Sequence, residues 1–323
     1  MCTAVTYQTK NFYFGRNLDL EHSYRTTVTI TPRNYPLHFR RVADMEHHYA
    51  MIGMALVEGN YPLYFDATNE HGLSMAGLNF PDNAVYHPES YDKYNVTPFE
   101  LIPWILGQCQ NIRQAQALLK ITNILKLPFS AEYPLSPLHW FLSDKESSLT
   151  LESVENGMHI YENPVGVLTN NPPFDYHMHN LRNYLNLTSS EPLNRFSDKL
   201  PLSPYSRGMG GIGLPGALSS SSRFIRATFT KFNSVSRDSE SASISQFFHI
   251  LGSVAQPQGC AKVGNLYEKT IYSSCCNTTK GIYYYTTYEN SQITGIIMHA
   301  ADLDGCELTN FALRKDQQIR MEN

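Results

Sequence analysis

The hydrophobic pattern changes period along the chain. At the N-terminus, apolar and polar positions alternate or form short aromatic and β-branched blocks, as in TAVTYQ, NFYFG and the 26–32 run TTVTITP. HHYAMIGMALVEG, PLYFDATNEHG and LSMAGLNF follow, separated by Gly, Asn and Pro. A period of two interrupted by turn residues predicts β-strands. Glu70-His71-Gly72 predicts a tight turn between two of them. The period then becomes helical. Thr97-Pro98-Phe99-Glu100 has the form of a capping box with Pro at the first helical position. It precedes FELIPWILGQC, where Pro103 falls in the first turns and does little damage. Residues 111–125 (NIRQAQALLKITNIL) predict a second, amphipathic helix with Ile112, Ala115, Leu118, Leu119 and Thr122 on one face.

Strands resume at LHWFLSD, SLTLESVENGMHIYE and VGVLTN. Residues 175–187, SRFIRATFTKFN and SISQFFHILGSVAQ read as helices. TIYSSCCNTT, GIYYYTTYEN and ITGIIMH close the chain as strands before a polar tail. Strand blocks and helix pairs are therefore segregated, which favours an α+β layered fold over a doubly wound sheet. No internal repeat or domain break interrupts residues 1–323, so one domain is expected. The Pro/Gly/Ser-rich stretch 188–222 is the sole linker candidate. A run of that length without regular structure is more often a functional or assembly loop than a plain connector.

Composition narrows the function classes. A chain of 323 residues with 42% hydrophobic and 17% charged positions can bury a sizeable core. A formal net charge of −4 lacks the basic excess of a nucleic-acid binder. No apolar run approaches the ~20 residues of a membrane span, so no membrane insertion is expected. The first thirty residues lack a basic segment followed by an apolar one, so a cytoplasmic location is expected. Six cysteines at 2, 109, 260, 275, 276 and 306 form no C-x-x-C and predict reduced, mostly buried thiols. His47-His48 and His177-x-His179 lack a third ligand at metal spacing, and neither a metal nor a cofactor is expected. Gly208 to Gly213 spells G-x-G-x-x-G, but it follows a Pro-rich loop and leads into Leu-Pro-Gly, so the dinucleotide context is missing. GLSMA at 72–76 misses the G-x-S-x-G elbow, and its flanks read as strand.

The chemistry concentrates at the first residues. A lone cysteine is ordinarily a small buried hydrophobe. Cys2, however, follows Met1 directly, and removal of Met1 by a cellular aminopeptidase is expected because Cys is small. The new N-terminus would carry a thiol and a free α-amine on one residue. With unperturbed values of about 8.5 and about 7.7–8.0, the amine can act as base for its own thiol. Arg16 and Asp19 lie one hairpin away, where antiparallel pairing can bring them alongside. A guanidinium there would hold the thiolate ready, and a carboxylate would orient the amine. Asn79 and Asn170 each end a strand and could donate to a tetrahedral oxyanion. Asn171 is an equally reasonable local choice.

Six ordered blocks then carry a resemblance: Met-Cys-Thr at the start, FGRNLD at 14–19, GLNFP at 77–81, LTNNP at 168–172, GLPG at 213–216 and SRFIR at 222–226. Together the whole chain resembles the choloylglycine hydrolase family, which includes bile salt hydrolases and penicillin V acylases. The resemblance implies an N-terminal nucleophile hydrolase with a four-layer αββα sandwich. It implies Cys2 as nucleophile with its α-amine as base, Arg16 beside the thiol, Asp19 on the amine, Asn79 and Asn170 at the oxyanion, and Arg223 in support. Arg226 is the weaker candidate of the two arginines in SRFIR. Asn at position 79, where many penicillin V acylases carry Tyr, favours conjugated bile salts as substrate. An apolar cleft for the steroid is expected, with walls from Leu20, Tyr24, Leu63, Phe65, Phe129, Leu135 and Leu138. Leu20 departs from the Trp or Met often found after L-D. The 188–222 stretch resembles a loop that braces tetramers, so a homotetramer is expected. The rival readings are a penicillin V acylase or other N-acyl amide hydrolase, and a non-catalytic binding protein on the same scaffold.

Overall fold

Alternating side chains sort the strands into two antiparallel sheets in the computed structural model, which describes residues 1–323. The first sheet runs Val167–Leu168, Cys2–Gln8, Phe12–Leu20, Leu266–Asn277, Ile282–Thr287 and Thr294–Ile297, with Ala261–Val263 paired to the start of Leu266–Asn277. The second runs Gly157–Glu162, Ser148–Val154, Leu138–Ser143, Ser74–Asn79, Tyr61–Asn69, Met51–Glu58, Thr27–Thr31 and Thr309–Ala312.

Period two explains how each sheet buries both faces. In the second sheet Met75, Trp140 and Leu142 pack with Leu101, Ile105 and Leu119 of the helices Leu101–Gln108 and Ile112–Lys120. Their neighbours Ala76, Leu78 and Phe141 turn the other way into the larger core shared with the first sheet. Phe14 of the first sheet stacks on Phe141 of the second, with centroids 5.4 Å apart. Beyond the first sheet, the helices Ser220–Asn233 and Glu240–Gly252 supply Phe224, Ile225, Phe247 and Leu251. The layers are helix, sheet, sheet, helix, an α+β sandwich.

Several boundaries differ from the sequence pattern. The first helix begins at Leu101, one turn later than the capping box predicts. Glu100 does accept from the Thr97 backbone N–H at 3.0 Å, but the Thr97 hydroxyl finds no partner. The other carboxylate oxygen of Glu100 is taken by the Arg40 backbone N–H at 2.6 Å. The second helix stops at Lys120, because Thr122–Ile124 pairs in parallel with Tyr94–Val96. Tertiary pairing overrides the helical period there. The polar tail contains a short strand, Thr309–Ala312, held against Thr27–Thr31. The turn at Glu70-His71-Gly72 is as expected, with Gly72 at φ +86 and its N–H on the Asn69 carbonyl at 2.9 Å. Residues 188–222 hold little regular structure beyond the 3-10 turn Met209–Gly211 and the helix start at Ser220. All six cysteines are free thiols; Cys2, Cys109, Cys275 and Cys276 are buried, while Cys260 and Cys306 are exposed.

Candidate active site

The site is assembled by strand register. Cys2–Gln8 and Phe12–Leu20 pair antiparallel with Cys2 opposite Leu18 and Ala4 opposite Arg16. Arg16 is thus two residues from Cys2's partner, on the same face of the sheet. Gly15 in the FGRN block permits this packing: a Cβ there would lie 2.0 Å from the Ser274 carbonyl oxygen of the neighbouring strand. Cys2 is 2% exposed, and Arg16, Asp19 and Arg223 are fully buried.

Arg16 crosses from the first sheet to the second. Its Nη1 donates to the Gly77 carbonyl at 2.5 Å and to the Phe65 carbonyl at 3.1 Å. Nη2 makes no hydrogen bond. Burial pulls the guanidinium down, but the Cys2 thiol, Tyr272, Asp66 and Asp19 outweigh it and hold Arg16 above its ordinary value. This cation is permanently charged beside the thiol.

Asp19, Arg223 and Asn170 hold the other side of Cys2. Asp19 accepts from Thr270 Oγ1 at 2.6 Å and from Gln256 Nε2 at 3.4 Å. Its carboxylate lies 4.0 Å from Arg223 Nη1. Burial pushes Asp19 up, against the pull of Arg223 and Thr270. Burial pushes Arg223 down, against Asp19 and Cys2. A guanidinium remains protonated in either case, and this cation faces the Asp19 carboxyl group across the buried gap. Arg223 also donates to the Cys2 carbonyl at 2.5 Å, Thr3 Oγ1 at 2.6 Å, Asn170 Oδ1 at 2.7 Å and the Leu218 carbonyl at 2.9 Å. It is placed by the helix Ser220–Asn233, whose N-cap Ser219 accepts from the Ser222 N–H. Arg226, one turn on, reaches only the Gly216 carbonyl at 3.5 Å near the surface.

The two asparagines are used differently. Asn170 Oδ1 accepts from the Cys2 nitrogen at 2.8 Å, and its Nδ2 donates to the Asn79 carbonyl at 2.7 Å. The side-chain amide of Asn79, at the end of Ser74–Asn79, is half-buried and makes no hydrogen bond within the protein. Asn171 Nδ2 donates to the Pro81 carbonyl, away from Cys2. A polar shell that no motif announces fixes the Asn170 segment. His177 Nε2 bonds the Asn170 carbonyl at 2.9 Å, His139 Nε2 bonds the Thr169 carbonyl at 2.9 Å, and the Asn170 N–H donates to Ser220 Oγ at 2.8 Å. Burial lowers His177 to about 4, so it is neutral at neutral pH. Thr270 and Gln256 were likewise invisible in sequence, because only cross-strand pairing of Thr270 with Asp19 brings them in.

Met1 is joined to Cys2, and its α-ammonium is paired with the carboxylate of Glu268 and donates to the Asp19 carbonyl at 2.5 Å. The nitrogen of Cys2 is therefore a peptide N–H.

The expected wall residues fall into separate groups. Leu20 and Phe65 pack against the core that contains Cys2. Tyr24, 37% exposed, lies 5.8 Å from the Phe65 ring. Leu63 is half-buried on the same strand as Phe65. Leu138 lies opposite Asn79 in the second sheet, and both it and Leu135 pack against the helix-side core. Phe129 belongs to an aromatic group with Phe99, 5.0 Å away, and Tyr61, 5.9 Å away. The Arg40 guanidinium lies 5.6 Å from both phenylalanine rings. A cavity of about 520 Å³ opens there, lined by Tyr35, Arg40, Tyr61, Phe99 and Phe129 among others, and it includes none of the polar groups around Cys2. Chemistry rather than volume locates the site.

Known proteins resemble this chain over its whole length. A family model described as linear amide C–N hydrolases, choloylglycine hydrolase family, matches residues 2–311. The chain is 56% identical to a bile salt hydrolase/transferase from Lactiplantibacillus plantarum, and 36% identical to one from Clostridium perfringens, with both partners covered in full in each case. A crystal structure of a mutant conjugated bile acid hydrolase from Clostridium perfringens superposes with a TM-score of 0.92 at 34% identity, covering all of both chains. A penicillin V acylase from Agrobacterium tumefaciens shares the fold, with a TM-score of 0.75 at 18% identity over 97% of this chain and 92% of that one.

Proposed function

The chain belongs to the choloylglycine hydrolase family of linear amide C–N hydrolases, and on that premise we propose that it cleaves glycine- or taurine-conjugated bile salts with Cys2 as nucleophile. The observation that carries this reading is the placement of Arg16, Asp19, Asn170 and Arg223 around one buried cysteine at a strand end, with Asn79 joined to Asn170 through its carbonyl.

The reaction requires that Met1 be removed, which turns the Cys2 peptide nitrogen into an amine. Asn170 Oδ1 already accepts from that nitrogen, so it holds the amine in place. The amine takes the thiol proton, and Arg16 stabilises the thiolate. Sulfur attacks the amide carbonyl. The free side-chain amide of Asn79 donates to the oxyanion, while Asn170 positions the nucleophile and the Asn79 carbonyl. Asp19 and Arg223 set the field around the amine and pin the Cys2 backbone. The protonated amine passes its proton to the leaving nitrogen, glycine or taurine departs, and a thioester remains. Water, deprotonated by the same amine, attacks the thioester and releases the bile acid with the thiol regenerated.

Leu20, Tyr24, Leu63, Phe65, Phe129, Leu135 and Leu138 are the proposed wall of the steroid cleft. The half-buried Leu20 and Phe65 support this best, since the Phe65 carbonyl touches Arg16. The whole of residues 1–323 acts as one domain, because Cys2–Gln8 pairs with Val167–Leu168 while its partner Phe12–Leu20 pairs with Leu266–Asn277. Exposed Leu193, Phe196, Leu202 and Tyr205 in the 188–222 stretch support an assembly contact in a homotetramer. No helix is long and apolar enough to cross a membrane, and the free thiols agree with a cytoplasmic location.

The deciding experiment measures amino-acid release from glycocholate and taurocholate, with penicillin V alongside, using protein whose mass shows that Met1 is gone. Release from the bile conjugates with little penicillin V cleavage is expected. Penicillin V cleavage alone would move the substrate to the acylase branch. Silence on all three would favour a binding protein. Protein that retains Met1 and still turns over would overturn the amine-as-base mechanism.

A further inference from the structure

Asp66 is a buried carboxylate that the reaction above does not use. It is 2% exposed and lies on Tyr61–Asn69 of the second sheet. Three hydroxyls from the first sheet reach it: Tyr272 at 2.7 Å, Tyr283 at 2.6 Å and Ser274 at 3.3 Å. The Tyr272 and Tyr283 hydroxyls both donate to Asp66. Hydroxyl donors and the nearby Arg16 guanidinium favour the ionised form of this carboxyl group, against the burial that opposes it. The cluster ties the two sheets together next to Arg16, whose own hydrogen bonds go only to backbone carbonyls. One of those carbonyls belongs to Phe65, the residue beside Asp66. The Ser274 hydroxyl also accepts from the Arg16 backbone N–H at 3.2 Å.

We propose that Asp66 is a positioning residue for the Cys2 site, fixing the Phe65 carbonyl for the Arg16 guanidinium and partly balancing its charge. Arg16 would otherwise be a buried cation with no carboxylate in direct contact, and its full field would fall on the Cys2 thiol. A carboxylate beside the guanidinium reduces the positive field at the sulfur, and that field governs the reactivity of the thiol. The charged and titratable groups facing this centre are Arg16, Cys2, Asp19 and the N-terminal amine from the N-terminal hairpin, and Tyr272, Cys276 and Tyr283 from the adjoining strands, while Arg223 from the helix faces Cys2 and Asp19. Burial raises Asp66 itself, with Arg16 and the tyrosine hydroxyls pulling it back.

The inference deepens the proposed reaction and rests on Cys2 being its nucleophile. Its test reads the thiol directly. Alkylation of Cys2 by iodoacetamide is followed against pH in the mature protein, with the site assigned by peptide mass because Cys260 and Cys306 are exposed. Asp66→Asn is expected to lower the midpoint by about one pH unit and to cut kcat about tenfold with KM within about twofold. Tyr283→Phe keeps the carboxyl group but removes one of the donors that favour its ionised form, so part of the negative charge is lost and the midpoint is expected to shift in the same direction by less. An unchanged midpoint in folded Asp66→Asn overturns the proposal, even if activity falls. If that variant does not fold, an unchanged midpoint in Tyr283→Phe does so. Wild-type protein that releases no amino acid from bile conjugates overturns the substrate reading and leaves this titration to be judged on its own.

Discussion

Around Cys2 the charged groups are buried and fixed by backbone carbonyls or partners on neighbouring elements, whereas the aromatic wall at Phe129 is half-buried and held mainly by ring contacts. The first region is set by strand register and one helix N-terminus. The second is set by loops, at residues 33–45 and 126–137, that meet over the end of a strand. Displacement in the first region leaves buried charges without partners, which is costly. Displacement in the second exchanges one apolar contact for another, which costs little. The polar region is therefore where a substitution should abolish chemistry, and the wall is where a different acyl group could be accommodated.

The strongest way to break this contrast is Arg223→Lys. A lysine cannot reproduce a fork that reaches the Cys2 carbonyl, Thr3, Asn170 and the Leu218 carbonyl. We expect kcat/KM to fall at least about 100-fold, with stability lower by about 3 kcal/mol, measured by initial rates and urea unfolding. A near-normal rate would show that the buried network is scaffolding alone. Asn79→Ala comes next. Its side-chain amide has no structural partner, so kcat should fall about 100-fold while the urea midpoint stays put. Equal losses in Asn79→Ala and Asn170→Ala stability would erase the distinction between a donor and a positioner.

Acid offers a subtler probe. His177 in the folded chain is lowered to about 4 from an ordinary 6.5, so the unfolded chain binds its proton first. The stabilisation is fully present above about pH 6.5 and is lost as pH falls through the folded value of about 4. Between pH 7 and pH 4.5, wild-type protein should lose about 2–3 kcal/mol through this one group, and His177→Gln should lose less over the same interval. Identical pH dependence of the two urea midpoints would remove His177 from the shell behind Asn170. The smallest effect is expected at the wall. Phe129→Ala should leave kcat within about twofold and cost about 1–2 kcal/mol, while Tyr24→Ala, nearer Phe65, should raise KM several-fold. A large kcat defect in Phe129→Ala would mean that the wall is as rigidly coupled to Cys2 as the polar network.

The same contrast explains what could be read from sequence. Cys2, Arg16 and Asp19 were legible because a hairpin converts sequence spacing directly into cross-strand distance. The strand–helix segregation was legible because period two and period 3.6 change at clear Gly, Pro and Asn boundaries. The end of the second helix was not, because Thr122–Ile124 continues a helical pattern and only its pairing with Tyr94–Val96 decides its state. The division of labour between Asn79 and Asn170 was hidden too. Both end strands in similar turns, and only three-dimensional bonding shows which amide is already occupied. His139, Thr270 and Asp66 carry no local signature at all, since each acts across an interface between elements distant in sequence.

The ion pair between the Met1 α-ammonium and Glu268 has a consequence for biogenesis. Folding and trimming compete for the same nascent end. Once Asp19 and Met1 exchange backbone hydrogen bonds, the first residue is tied to the end of the neighbouring strand, where an exopeptidase that needs a loose, extended terminus is disfavoured. On the mechanism proposed above, trimming has to precede this pairing. On that mechanism, a cell forced to make the chain faster than it can trim it would accumulate folded chains that retain Met1 and do not turn over. Specific activity in such a preparation would report the throughput of the trimming enzyme, and a thermal melt would be blind to the difference.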